Sequence, residues 1–419
     1  MSAVSGSSQM LADLVTGSHL MSLEELPRKV ARCASCAGLQ DVLIYLVDLE
    51  QDVLSRVGRG PDGGGAGGTE ATLPVEGSAA GEVFQRGQLM AAPSPGAHGA
   101  RRWWVPLLDG TERLGVLLVT VEADSEQVKK DMWLLAGLVA LIVVSKRGMS
   151  DSHARLVRTR SMNVAAEMQW HLMPPLTFAT ERIAICAVLE PAYEISGDAF
   201  DYAIDDDVLH LEIFDAMGHD TAAGLTANLA VAACRNSRRR RAGLVGASEA
   251  IERTLIEQFG TCRYTTGILA DLNLNSGDLS WINRGHHPPV IIRGRRHVTV
   301  LDCPPTPPMG TDVGLDVSLC RDRLEPGDLL LLHTDGITEA RGPDGQEFGL
   351  DRFLNFVVRS LDHGMPMPET LRRLMRDVLA YHHGRLRDDA TVTLVQWHGR
   401  TPFDPREIQT LVGLPETPG

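Results

Sequence analysis

Asp198 follows a Ser-Gly turn, and Asp215 closes an apolar run, Val208-Leu-His-Leu-Glu-Ile-Phe214, that has the length and residue mix of a strand. Alternation of side chains places Asp215 on the face of Leu209, Leu211 and Ile213. A carboxylate that continues an apolar face is costly unless something compensates it. Hard divalent cations do so, because they take carboxylate oxygens. The pattern recurs at Gly327-Asp-Leu-Leu-Leu-Leu-His-Thr-Asp-Gly336, which delivers Asp335 into a Gly turn on the parity of Leu329 and Leu331. It recurs in reverse at Asp388-Asp-Ala-Thr-Val-Thr-Leu-Val395. There Asp388 shares a face with Ala390, Val392 and Leu394, and Asp389 shares that of Thr391 and Thr393. Asp198 has the parity of Phe200, Tyr202 and Ile204. One such aspartate reads as an acidic turn ending a strand. Asp198, Asp215, Asp335 and Asp388 together read as one site, with Asp389 the weaker candidate by parity.

Carboxylates without a His–Cys cluster favour Mn²⁺ or Mg²⁺ over zinc. Two such ions about 4 Å apart can share a bridging carboxylate and a water, lower the pKa of that water and aim it at a phosphorus atom. In-line displacement of this kind needs no covalent phospho-enzyme. Cys234 and Arg240 do match the Cys-x5-Arg spacing of cysteine-dependent phosphatases. That chemistry needs a loop of backbone amides and a thiol of depressed pKa, whereas this segment has no intervening Gly and continues a helix. Cys33-Ala-Ser-Cys36 is a lone CxxC with no second pair, so it does not read as a zinc site.

The chain that must position these residues has 419 of them, enough for two or three domains. With 43% hydrophobic and 22% charged residues it reads as a soluble protein. A net charge of −14 argues against affinity for nucleic acid or anionic membrane. Seven scattered cysteines fit a reducing cytoplasm better than a disulfide framework. Nothing at the N-terminus reads as a signal peptide, and the most apolar stretch, Met132 to Val144, is short for a bilayer span of roughly 20 residues. It is expected to be a buried helix in a cytoplasmic protein.

Helical spacing over Gln9–Cys36 predicts two short helices, and Asp41–Leu49 reads as a strand that leads through Val53–Val57 into the next segment. Gly58–Gly68 is a Gly-rich loop without the Gly-Lys-Ser/Thr of a phosphate cradle. Arg102–Leu108 and Leu114–Val121 form a hairpin through Asp109-Gly110. Here Gly77-Ser-Ala-Ala-Gly81, Trp104-Val-Pro-Leu-Leu108 and Leu114-Gly-Val-Leu-Leu118 resemble the GAF family over residues 10–145. The resemblance implies an antiparallel sheet with helices, acting as a sensor or a dimerisation domain. No His or Cys arrangement specifies haem, flavin or a cyclic nucleotide.

Residues 146–175 read as a helical connector. Val164, Met168 and Leu172 lie four apart on one helical face before Met173-Pro174-Pro175 stops the helix. Such a helix is either a passive spacer or a dimeric, coiled-coil-like rod. Beyond it Thr221–Arg235 is helical, and Arg235-Asn-Ser-Arg-Arg-Arg-Arg241 reads as its solvated basic end. Ala247–Phe259 is a further helix. Thr265–Leu272, Leu279–Asn283 and Val290–Arg293 are strands, and Pro304–Gly310 is a rigid loop.

The order Ser196-Gly-Asp198, Phe214-Asp-Ala-Met-Gly-His219, Gly285-His-His-Pro-Pro289, Thr334-Asp-Gly-Ile-Thr-Glu339, Phe348-Gly349 and Asp388-Asp-Ala-Thr391 resembles the metal-dependent serine/threonine phosphatases of the type 2C (PPM) superfamily. Its SpoIIE/RsbU-like branch is the nearest, and Met168-Gln-Trp-His-Leu-Met-Pro-Pro175 is similar to that branch's lead-in. The resemblance implies an α+β fold in which residues 176–397 form an α-β-β-α sandwich with two metals at one end, followed by a tail over 398–419. It implies that Asp215 bridges both ions with help from the Ala216 carbonyl. Asp198 would serve one ion, and Asp335 and Asp388 the other. It further implies a phosphoserine or phosphothreonine substrate on a protein, typically an anti-sigma-factor antagonist, under control of the GAF-like domain. A homodimer through that domain and the connector is a further expectation. A catalytically silent scaffold of the same fold is the alternative.

Two departures from the family pattern stand out. Ser196 replaces a Gly. Asp220 follows Gly218-His219 where a Gly is usual, and it reads as the N-cap of the Ala-rich helix rather than as a further ligand.

Overall fold

A computed structural model describes residues 6–58, 70–93, 100–194, 197–342, 345–382, 386, 388–400 and 405–414. Most of the Gly-rich loop and Ser196 lie outside the described residues. The chain divides into two compact units, residues 1–161 with 413–419, and residues 162–412.

The first unit opens with helices α1 (Gly6–Ser18) and α2 (Leu26–Ala34). Strands β1 (Leu39–Val47), β2 (Val53–Arg56) and β3 (Thr72–Pro74) precede α3 (Ala79–Arg86), and β4 (Met90–Ala92), β5 (Arg101–Asp109) and β6 (Glu112–Val121) follow it. The six strands make one antiparallel sheet in the order β3-β2-β1-β6-β5-β4. The hairpin expected at Asp109-Gly110 joins β5 to β6, with Gly110 at φ +56°. Helices α4 (Glu126–Arg147) and α5 (Asp151–Val157) close the unit. The apolar stretch Met132–Val144 lies within α4, whose Met132, Leu135, Val139 and Val143 are buried with α1, α2 and the sheet. Among the described residues no single helix is long and apolar enough to cross a membrane.

The second unit begins with α6 (Val164–Leu172), β7 (Thr177–Ala179), β8 (Ile183–Glu190), β9 (Asp198–Asp205) and β10 (Val208–Ala216). Helices α7 (Thr221–Arg239) and α8 (Gly243–Phe259) lead to β11 (Thr265–Asn273), β12 (Asp278–Arg284), β13 (Val290–Arg293), β14 (His297–Val300), β15 (Cys320–Arg323) and β16 (Leu329–His333). A single helical turn, α9 (Asp335–Thr338), then α10 (Leu350–Asp362), α11 (Met367–Tyr381), β17 (Ala390–Trp397) and α12 (Pro405–Val412) complete it. The strands form two antiparallel sheets, β15-β12-β11-β10-β9 and β14-β13-β16-β17-β8-β7.

Their inner faces share one core. Phe200, Leu209, Leu211, Ile213, Ile268 and Trp281 of the first sheet are buried with Ile185, Leu330, Leu332, Val395 and Trp397 of the second. Phe214, Leu269 and Ile282 face the other way, onto Ala227, Val231, Ile251 and Leu255 of α7 and α8. Helix α11 lies against β8 on the second sheet. The unit is therefore a sandwich of two sheets flanked by helices.

Three expectations need correction. Residues 146–175 do not form one helix: α4 ends at Arg147, α5 ends at Val157, α6 starts at Val164, and the division between the units falls at 161/162. Helix α6 itself packs by Ala165, Ala166 and Gln169, and leaves Val164 and Met168 of the apolar stripe exposed, 64% and 40%. The basic run is not all solvated, because Arg235 and Arg238 turn inward onto Asp201 and Glu212. Finally, Cys303 and Cys320 form a disulfide that ties the stretch after β14 to β15.

Candidate metal centre

Strand pairing builds the first half of the site. In the register of β9 with β10, Asp198 stands directly opposite Asp215. Directly opposed side chains in an antiparallel pair are close neighbours, so two like charges here disfavour one another. The turn that brings Asp198 in depends on Gly197. A Cβ there would come 2.7 Å from the Ala216 carbonyl oxygen and 2.9 Å from that of Gly218, and the Gly197 carbonyl accepts the Ala216 N–H at 3.0 Å. Ala216 is thereby held at the end of β10, beside the cluster.

The second sheet supplies the rest. Strand β16 ends at His333, Thr334 precedes α9, and Asp335 is that helix's first residue. A Cβ on Gly336 would lie 2.0 Å from the carbonyl oxygen of Asp389, so only glycine allows the two segments to meet. Asp388 and Asp389 precede β17. Asp389 is 5% exposed, and its Oδ2 accepts the Gly197 N–H at 2.6 Å. Asp388 is exposed, and its Oδ1 accepts the Asp389 N–H at 3.0 Å. The discounted residue is thus the more deeply set of the two.

Parity misled because β16 and β17 are central strands buried on both faces. Val395 and Trp397, on the parity of Asp389, face the inter-sheet core, as do Leu330 and Leu332 of β16. Asp335, moreover, lies past the strand end, where alternation no longer applies.

Electrostatics show that the five carboxyls form one cluster. Burial, then Asp335, Asp388 and Asp389, push Asp215 up to about 7. Burial, then the charges of Asp215 and Asp389, hold Asp198 well above the usual carboxylate range. Asp335 is raised by burial, then by Asp388 and Glu339. The set grades from Asp198 and Asp389, buried, through half-buried Asp215 and Asp335 to exposed Asp388, and so opens to solvent at that end.

The residues present fit a divalent cation. Everything that acts strongly on Asp215 opposes its charge, which a bound cation would reverse, and the donor set is hard oxygen. Asp198, Asp215, Asp335, Asp388 and Asp389 could hold such ions, with the Ala216 carbonyl at the margin. His287 adds a nitrogen donor, since it, Asp335 and Glu339 bring ligand atoms within 4.8 Å of one another.

Several supporting residues have roles that only the fold reveals. Thr334 and Thr391 donate their hydroxyls to Oδ2 of Asp198 at 2.6 and 2.7 Å. Thr334 Oγ1 also accepts the Thr391 N–H at 2.9 Å, so one hydroxyl ties β16, β17 and β9 together. His286 lies between Thr266 Oγ1 at 2.8 Å and the His333 carbonyl at 3.1 Å, and burial lowers its pKa to about 3, keeping it neutral. The signal available in sequence was a threonine next to, or two beyond, an aspartate at a strand end. Its partner across the fold was not.

Two ambiguous residues are settled by their contacts. Asp220 is the N-cap of α7, its Oδ1 accepting the Ala223 N–H at 2.8 Å while Arg263 pairs with its carboxylate at 2.7 Å. Cys234 is buried on α7 with its thiol pKa raised well above normal by burial, the opposite of a nucleophile's requirement.

Residues 205–398 match the family model for stage II sporulation protein E (SpoIIE). The match contains Asp215, Asp335, Asp388 and Asp389 and begins just after Asp198. Stage II sporulation protein E of Bacillus subtilis (strain 168) is 30% identical over 139 residues, which is 33% of this chain and 16% of that protein. Phosphoserine phosphatase RsbU of the same organism is 22% identical over 185 residues, 44% of this chain and 55% of that one. Among solved structures, the SiaA-PP2C domain of Pseudomonas aeruginosa aligns with a TM-score of 0.48 at 19% identity, covering 56% of this chain and 94% of that one. The chain spans about half or less of the length of these two curated relatives.

Proposed function

We propose, from the premise that this chain carries a SpoIIE/RsbU-like domain of the PPM phosphatase family, that it hydrolyses phosphoserine or phosphothreonine on a protein with the help of two Mn²⁺ or Mg²⁺ ions. The observation that carries the reading is the meeting of Asp198, Asp215, Asp335, Asp388 and Asp389 at one end of the sandwich, where burial and neighbouring charges raise the pKa of Asp198, Asp215 and Asp335. Asp215 faces carboxyls from both sheets and is the residue best placed to be shared between two ions. When bound, the ions would supply positive charge for a phosphoryl oxygen and a water of lowered pKa. The protein's own part is to fix the carboxylates: Thr334 and Thr391 orient Asp198, and the Gly197 N–H orients Asp389.

The substrate in this reading is a phosphorylated regulatory protein of the anti-sigma-factor-antagonist kind, following from the family and from the relative named a phosphoserine phosphatase. The first unit acts as a GAF-like regulatory or dimerisation domain, supported by its six-stranded antiparallel sheet with helices. Exposed Val164 and Met168 on α6 support a homodimer contact near the start of the second unit. The test is release of inorganic phosphate from phosphoserine-, phosphothreonine- and phosphotyrosine-containing proteins with Mn²⁺. The expected result is turnover of the first two and none in EDTA. Equal turnover of phosphotyrosine would sink the substrate class, and no turnover of any would favour the silent scaffold.

A further inference from the structure

Helix α6 reaches the metal cluster through one side chain. Its docked face is Ala165, Ala166 and Gln169, and Gln169 is 0% exposed. Burying an amide is costly unless its hydrogen bonds are made. The Gln169 Nε2 donates to the backbone carbonyl of Asp198 at 2.8 Å. Strand β9 is the edge of its sheet, paired on one side only, so such a carbonyl depends on a partner from outside the ladder.

The rest of α6 grips the chain around that point. Asn163, its N-cap, donates its side-chain amide to the Glu194 carbonyl at 2.9 Å, and the Trp170 indole N–H donates to the Ala192 carbonyl at 2.7 Å. At the far end Arg235 donates to the Leu172 carbonyl at 2.6 Å while its guanidinium pairs with both oxygens of Asp201, on β9, at 2.8 and 2.7 Å. The helix is therefore tied to β9 at Asp198 and, through Arg235, at Asp201.

We infer that Gln169 is a positioning residue for the metal centre: its amide sets the backbone at Asp198 and so determines how tightly the cluster holds its divalent ions. This rests on the reading of Asp198 and its neighbours as metal-holding groups. Groups that orient a metal's ligands change affinity by roughly 10- to 100-fold when removed. Gln169→Met keeps the bulk of the side chain and removes the donor. Trp170→Phe removes a bond from the same helix that does not reach Asp198.

The experiment is titration of the metal-free full chain with Mn²⁺, with free Mn²⁺ followed by electron paramagnetic resonance and folding followed by circular dichroism. The expected result is a 10- to 100-fold weaker Mn²⁺ affinity in Gln169→Met, with Trp170→Phe binding as the wild type does. Should Gln169→Met fail to fold, Gln169→Glu, which has the same shape and no N–H to give when ionised, must show the same loss. Wild-type affinity in the folded Gln169 variant, or equal weakening in Trp170→Phe, overturns the inference. Asp215→Asn separates the two levels. If it loses Mn²⁺ while the Gln169 variant does not, only the positioning role falls. If it binds Mn²⁺ as the wild type does, the metal reading falls and the positioning role with it.

Discussion

Asp215 carries an ordinary carboxyl into surroundings that resist its charge, and this has a consequence for pH. Its pKa in the folded, metal-free protein is about 7 against 3.8 for an ordinary aspartate. Between those values folded Asp215 keeps a proton that the unfolded chain releases, so its contribution to stability falls as pH rises through the window. Asp198 and Asp335 shift in the same direction and add to the slope. Metal-free Asp215→Asn in EDTA is therefore expected to gain melting temperature relative to the wild type between pH 5 and pH 8, since the buried histidines, whose lowered pKa acts the other way, are common to both proteins. Mn²⁺ should recover more stability in the wild type at pH 8, where it does not compete with protons, than at pH 5. Thermal melts of both proteins across this range check it, and a difference between Asp215→Asn and the wild type that does not grow from pH 5 to pH 8 without metal contradicts it. At this scale the sequence was informative about Asp198 and Asp215, whose strands have one face in the core and the other against helices. It was silent about Thr334, Thr391 and Gln169, because their partner, Asp198, is remote in the chain.

The elements show where periodicity loses its power. Alternation placed Asp215 correctly because Leu209, Leu211 and Ile213 do share the inter-sheet core. In β16 and β17 every residue is buried, so an apolar neighbour no longer tells inside from outside. That is why Asp389 was undervalued. The basic run at the end of α7 failed for a related reason: a string of arginines has no pattern that tells which will meet a buried acid. Arg238 lies against Asp201 and Glu212, whose side chains are 1% and 3% exposed. Removing one partner of a buried ion pair leaves uncompensated charge and costs about 3–5 kcal/mol. Arg238→Ala should lose about that much in urea unfolding, whereas Arg240→Ala, at an exposed position, should change stability by less than about 0.5 kcal/mol. Equal effects would contradict the account of the α7 end.

Across the whole molecule, two units carry separate cores, one around α4 and the six-stranded sheet and one between two sheets. The strands that hold the site were largely legible as apolar runs between turn residues. The joining stretch was not, since a segment without Pro and with a single Gly reads as one helix even where the chain breaks at Gly148 and again after Val157. The Cys303–Cys320 disulfide was equally hidden, as pairing depends on the path of the intervening loop rather than on spacing. What unites the second unit is that both sheets end on the same carboxylate cluster, so its activity should be a property of the assembled sandwich and not of any one motif. The most direct measurement is Mn²⁺-dependent hydrolysis of p-nitrophenyl phosphate by the full chain beside folded Asp215→Asn. A metal-dependent site centred on Asp215 should give turnover that EDTA abolishes and that falls by more than about 100-fold in the variant. Turnover independent of metal, or undiminished in Asp215→Asn, would contradict it.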